Sequence, residues 1–158
     1  MNTLNTKLIY FAAAVLMLIW PAMVNGFPFI YNDLSTYLAS GFELKTPFDR
    51  PITYGIFLRI ASLNGLSLWG VIVVQAILVS WLVFKILVVF LKDVITLQHC
   101  LVCMFILCAF TPLPWICSLL MPDIFTPLLV LSLVLILYNG NSTNSIGLYV
   151  VFFFSCTM

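Results

Sequence analysis

Charged side chains are what this sequence has least of. Six basic and five acidic residues in 158 make it 7% charged and 64% hydrophobic, where an average soluble domain is about a quarter charged. A small soluble domain leaves much of its surface in water, so this composition excludes that class and points to the bilayer as solvent. With a net charge of +1 and no basic run, an electrostatic nucleic-acid surface is excluded too. Cysteine is missing from the polar loops. Cys100, Cys103, Cys108, Cys117 and Cys156 all lie in apolar segments, where cysteine acts as a small hydrophobe, so a disulfide framework is not expected. His99 beside Cys100 and Cys103 has the look of a metal cluster, but structural zinc takes four ligands and no fourth is near in sequence. No cofactor is expected, and nothing supports a divalent metal. Gly-x-x-x-Gly helix-packing motifs, internal repeats and any second domain are absent from the sequence as well.

What is present is a series of apolar runs. Leu8–Val24 rises about 26 Å as a helix, enough to cross a hydrocarbon core. The stretch is longer than a signal-peptide core, and Pro21-Ala22-Met23-Val24 is a poor cleavage site, so an uncleaved helix is expected. Further spans are expected over 68–91, 100–121, 124–138 and 146–158. Pro112 and Pro114 predict that the third is kinked or ends early, and Gln75 and Lys85 mark the second, with Lys85 snorkelling toward Lys92. The last run has 13 residues, against about 17 to 25 for a crossing, so it reads as truncated. The expected fold is all-α: a polytopic transmembrane helical bundle, with interfacial helices in a first external loop over 25–67. Leu34, Tyr37, Leu38 and Gly41 fall at helical spacing. A second short helix is expected over Ile52–Leu63, with Gly55, Arg59 and Ser62 as a polar stripe.

Lys7 suggests a cytoplasmic N-terminus, although the tally of three basic residues on each side leaves the positive-inside rule undecided. Either way up, Asp33, Asp49, Arg50 and Asp123 share a side if the second and third spans are real. In that topology Asn141-Ser142-Thr143, which matches a glycosylation acceptor, faces the cytoplasm. The expected location is a bacterial plasma membrane, with lipids as neighbours, no nucleic acid, and no sign of oligomeric state.

Three acids carry the chemical possibilities. Asp33, in Tyr31-Asn32-Asp33-Leu34, is either a helix N-cap or a general base at the membrane surface. Asp49-Arg50-Pro51-Ile52-Thr53-Tyr54-Gly55 is either a surface ion pair entering a turn, or a site in which the Arg50 fork clamps a phosphate with Tyr54 beside it. Asp123 is either the N-cap of the fourth span or a group facing Asp33 across a cavity.

Asn25-Gly26-Phe27-Pro28, Asn32-Asp33-Leu34-Ser35-Thr36-Tyr37-Leu38, the Asp49–Gly55 segment and Met121-Pro122-Asp123-Ile124 together resemble the start of GT-C fold glycosyltransferases. The resemblance covers roughly the first 125 residues. It implies transfer of a sugar from a polyprenyl-phosphate carrier at the outer membrane face, with Asp33 as general base and Arg50 neutralising the departing phosphate. Asp49, Tyr54 and Asp123 would line the substrate site. The family often carries paired acids where Asn32-Asp33 supplies one, and its members are longer, so this chain reads as an N-terminal portion, inactive alone. Two other classes remain: a transporter or flippase component, for which Gln75 and the proline break are the features, and a small assembly protein without chemistry.

Overall fold

The computed structural model describes residues 3–91, 95–139 and 146–158. Lys92, Asp93, most of the 139–145 loop and the Asn141-Ser142-Thr143 motif lie outside the described residues. Among the described residues every regular element is helical: α1 (Thr3–Asn25), α2 (Leu34–Glu43), α3 (Thr53–Ala61), α4 (Trp69–Leu91), α5 (Leu97–Phe110), α6 (Leu113–Cys117), a 3₁₀ turn (Pro122–Ile124), α7 (Phe125–Asn139) and α8 (Ile146–Cys156).

Two of these, α1 over Leu4–Asn25 and α4, are long and apolar enough to cross a membrane. Within the expected third span over 100–121 the helix is interrupted ahead of Pro112. Its helix starts earlier, at Leu97, and stops at Phe110, and Thr111 is extended (φ −130°, ψ 160°). A residue before proline is pushed out of the α region by the proline ring, and here that residue is Thr111 ahead of Pro112. The chain restarts as the single turn of α6. At the other end Thr96 and His99 form a capping box: the Thr96 N–H donates to His99 Nδ1 at 3.2 Å. That is the role of the imidazole next to Cys100, and all five cysteines are free thiols. Lys85 folds back over the Trp81 ring, 5.9 Å from its centroid, instead of reaching toward position 92. One helical turn separates the two, and the side chain leans N-terminally along the helix.

Aromatic contacts set the directions of the helices. Phe11 meets Phe84, late in α4, edge-on at 5.9 Å; Phe29, beyond the far end of α1, bridges to Leu119, and Met121, two residues on, takes a bond from Gln75 early in α4, so α1 and α4 are antiparallel. Phe90 stacks on Tyr138 at 4.4 Å while Phe125 lies near Tyr54 at 6.2 Å, so α7 runs parallel to α4. Gly147 sits against Trp81 and Phe154 against Phe125 at 5.5 Å, which makes α8 antiparallel to both. The ring cluster Tyr37, Tyr54, Phe57, Phe125 and Phe154 joins α2, α3, α7 and α8. Each such pair adds about 0.5–1.5 kcal/mol beyond its buried area.

The first loop differs most from its expected form. α1 persists to Asn25 and ends at Gly26, whose φ of +77° is the left-handed stop that glycine adopts without penalty. The loop then runs along the segment that follows α6, beside α1, where the Phe29 N–H donates to the Ser118 carbonyl at 2.9 Å and Leu120 N–H to the Phe29 carbonyl at 3.0 Å. The second helix covers Thr53–Ala61, with Ser62 as its C-cap and Leu63 and Asn64 left-handed. α2 and α3 lie side by side in the same direction: Asp33 meets Arg50, Tyr37 meets Tyr54, and Gly41 meets Gly55. The stripe Gly55, Arg59 and Ser62 therefore faces inward. Gly55 packs on Gly41, Arg59 reaches the Gly41 carbonyl at 3.4 Å, and Ser62 is fully buried. A polar stripe need not face water when its members are small or find a backbone partner.

Candidate functional site

Asp33 stands at the N-cap position of α2, with no side-chain capping bond. Its backbone carbonyl accepts from Thr36 and Tyr37, while its carboxylate turns away from the helix toward α3. There Asp33 Oδ2 lies 2.9 Å from Arg50 Nη1. The two are paired by charge at this distance, while Nη1 makes no aligned hydrogen bond among the described residues. On its other edge Arg50 donates from Nε at 3.1 Å and Nη2 at 2.7 Å, both to Asp49 Oδ2. The guanidinium also lies over the Tyr37 ring, 5.2 Å from the centroid, a cation–π contact that holds its plane. The Arg50 side chain is 21% exposed, against 41% and 57% for Asp33 and Asp49. One cation between two carboxylates leaves the cluster net negative.

The hydrogen bonds from Arg50 hold the Asp49 carboxyl below its ordinary value of 3.8, and the same bonds push Arg50 upward, so it stays charged. A depressed carboxyl contributes stability that is present above the unfolded value and lost as pH falls through the lowered one. We expect Asp49, followed by carboxyl carbon chemical shift, to titrate below 3.8 in the wild type and to move up in Arg50→Met. An unchanged Asp49 titration in that variant would remove the pairing.

Tyr54 is fully buried. Burial pushes its phenol well above the ordinary range, with the Asp123 charge adding to the rise, so it is a neutral hydroxyl. Gln75 Nε2 donates to the Tyr54 hydroxyl at 3.3 Å and to the Met121 carbonyl at 3.4 Å. The carbonyl needs a donor, which fixes the amide's orientation and leaves Gln75 Oε1 buried without a partner among the described residues. This brace ties α3, α4 and the turn before α7 at one level. Gln75→Leu frees the Tyr54 hydroxyl and the Met121 carbonyl but also removes the orphaned oxygen. The bonds are long, so the expected net loss is about 1–2 kcal/mol, rising to about 2–4 kcal/mol for Gln75→Ala through the added cavity. Unfolding in micelles followed by circular dichroism reads both, and Gln75→Leu at wild-type stability would mean the amide braces nothing.

Of the residues singled out in the sequence, Asp33, Asp49 and Arg50 are in direct contact, and Tyr54 joins them through Tyr37, edge-on at 5.0 Å. Asp123 is exposed and lies within the 3₁₀ turn, whose N-cap is Met121, so it is not the cap residue. It reaches the group through its charge on Tyr54. Tyr37 and Gln75 were not picked out as site residues. Gln75 was visible only as a polar side chain inside an apolar run, and nothing local to the sequence marked Tyr37 for a site. A separate cleft of about 580 Å³ lies between α1, α5 and α6, lined by Leu16, Trp20, Phe105 and Trp115 among others. Phe29, four residues before Asp33, sits against Trp115 at 5.4 Å.

Fold and site thus define an all-helical protein with two helices fit to cross a membrane and an Asp–Arg–Asp cluster at one end of the bundle. No family model, curated protein or solved structure matches the chain.

Proposed function

We propose that the chain is a multi-pass membrane protein, N-terminus cytoplasmic, that takes part in sugar transfer from a polyprenyl-phosphate carrier in the manner of GT-C glycosyltransferases. The observation that carries this reading is the orientation of Asp33. A carboxylate at a helix N-cap ordinarily accepts from the first-turn amides; this one faces Arg50, in the segment that leads into α3. In the proposed reaction the acceptor hydroxyl oxygen bonds to the anomeric carbon, the bond from that carbon to the carrier phosphate breaks, and the hydroxyl proton passes to Asp33. The phosphate enters by replacing Asp33 at Arg50 Nη1, which both neutralises the leaving group and frees the base. The apolar cleft by Trp20 and Trp115 offers the prenyl chain a lipid-side wall next to the loop that carries Asp33. The resemblance implies a portion inactive by itself, but Asp33 and Arg50 both lie in this chain, so the test is release of polyprenyl phosphate from a radiolabelled polyprenyl-phosphate hexose by the purified full chain in vesicles supplied with a sugar acceptor. No turnover above protein-free vesicles would sink the enzyme reading.

A second reading has its own observation. Both edges of the Arg50 guanidinium and one of its faces are occupied, as in a latch that fixes α2 on α3 in a protein without chemistry. A transporter reading loses its main feature, because Gln75 is spent on the Tyr54–Met121 brace.

A further inference from the structure

We propose that α3 is sunk in the outer half of the bilayer, its Thr53 end deepest, with Ile56 and Ile60 against lipid chains and Leu63 at their upper edge, so that the level of Tyr54 and Gln75 lies beneath the headgroups. The inference rests on the multi-pass reading above. Three observations carry it.

The first is direction. α3 runs antiparallel to the first half of α4: Ala61 abuts Gly70 at one end, and Thr53 and Leu78 share a groove with Ile56, Ile60 and Val74. The groove holds about 380 Å³, is closed on its third side by α8, and has no charged residue in its lining. A helix lying flat on the membrane surface would cross α4 at its end and would not follow it inward.

The second is length. α4 has 23 residues, about 34 Å of helix, which matches a hydrocarbon core of about 30 Å from end to end. Gln75 is six residues in, about 9 Å below Trp69. α5 and α7 have 14 and 15 residues, about 21–22 Å each, which is too short to cross. α5 ends beside Trp20 and α7 begins beside Tyr54. The segment of α4 that these helices leave uncovered is the one α3 accompanies. Two short neighbouring helices and an immersed α3 are then two parts of one arrangement.

The third is surface chemistry. Ile60 and Leu63 are 70% and 68% exposed, continuous with the exposed Val150 and Phe153 of α8. Arg59, the one charge on α3, turns away from this face to Asn64 and the Gly41 carbonyl. Removing such side chains from water is worth about 25 cal/mol per Å² of apolar area, and lipid chains accept them without a matched partner surface.

The test places a photoreactive benzoylphenylalanine singly at Ile60, Leu63, Val130 and Lys45 of the full chain in phosphatidylcholine vesicles, and reads lipid adducts by mass spectrometry. Val130, exposed on α7, reports on the multi-pass reading itself. Lys45, with its side chain 80% exposed, reports the aqueous background. We expect adducts at Ile60 and Leu63 comparable to Val130 and about tenfold above Lys45, as interior positions differ from hydrated ones. Adducts at Val130 with none at Ile60 and Leu63 overturn the immersion and leave the multi-pass reading standing. Absence at Val130 overturns both. Adducts at Ile60 to a second copy of the chain, in place of lipid, also overturn it.

Discussion

Asp33→Asn is expected to lower release of polyprenyl phosphate by about 10²–10⁴-fold, the usual contribution of a positioned general base. Asparagine keeps the shape and hydrogen-bonding reach of the side chain and removes only its capacity to take a proton, so the loss belongs to chemistry and not to packing. Arg50 keeps Asp49, the partner on which it has its shorter contact, and the α2–α3 pair should stay folded. Thermal unfolding of Asp33→Asn therefore falls close to the wild type, as exposed ion pairs contribute little. Glu43→Gln, an exposed acid on the same helix paired with Lys45 at 3.2 Å, is the matched control and should turn over normally. The latch reading expects the reverse: turnover absent or unchanged, and a lower melting temperature.

The physical basis of the base role is competition for one cation. In the resting arrangement Asp33 Oδ2 is held against Arg50, so the oxygen is occupied by the cation and not turned to an acceptor. A carrier phosphate brings more charge to the same Nη1 and displaces it. Substrate arrival and base activation are then one event, and Asp33→Asn should bind the carrier at least as tightly as the wild type while failing to turn it over. Weakened binding together with lost turnover would point instead to a merely structural Asp33.

What was legible in the sequence, and what was not, divides along local and non-local lines. The apolar runs gave helices within a residue or two at α4, α7 and α8, and at the end of α1, whose start at Thr3 lies five residues before the expected Leu8, because composition and length act locally. The break at Pro112 was legible for the same reason, a ring clash with the preceding residue. The reach of the third span was not, since an apolar run over 100–121 says nothing about backbone continuity. Helical spacing found α2 and α3 and marked Gly55, Arg59 and Ser62 as a polar stripe without saying what it faces. Only the neighbouring helix, with Gly41 offering a bare backbone, shows why it turns inward. Asp33, Asp49 and Arg50 were each visible as costly charges in an apolar chain. Their meeting depended on the return path of residues 44–52, which no periodicity encodes.

Gly41→Ala should be the most damaging single methyl in the loop. A Cβ on Gly41 would run into the carbonyl of Gly55, and one on Gly55 into the Tyr37 carbonyl, the Gly41 amide and Ser40 Oγ. At Gly41 the obstacle is backbone, which cannot rotate away as a side chain does, so α3 must move bodily. Overpacking of this kind costs about 1–3 kcal/mol, and alanine regains up to about 1 kcal/mol of helix propensity over glycine. With backbone as the obstacle, the upper end of the range applies and the net expectation is about 2 kcal/mol. For a chain of this size that is a fall in melting temperature of about 4–8 °C. Ser35→Ala, on the exposed side of α2, carries no such contact and should melt with the wild type. The displacement also has a direction. Prising α2 from α3 at Gly41 draws Tyr37 off Tyr54 and Asp33 off Arg50, because all three contacts lie along one helix pair. Gly41→Ala should therefore impair turnover even at temperatures where it remains folded, and Gly41→Ala with Gly55→Ala should cost less than the two separately, since one separation relieves both clashes. An unshifted melting temperature in Gly41→Ala would mean that α2 and α3 are not in backbone contact, and the Asp33–Arg50 pairing that depends on it would fall with that contact.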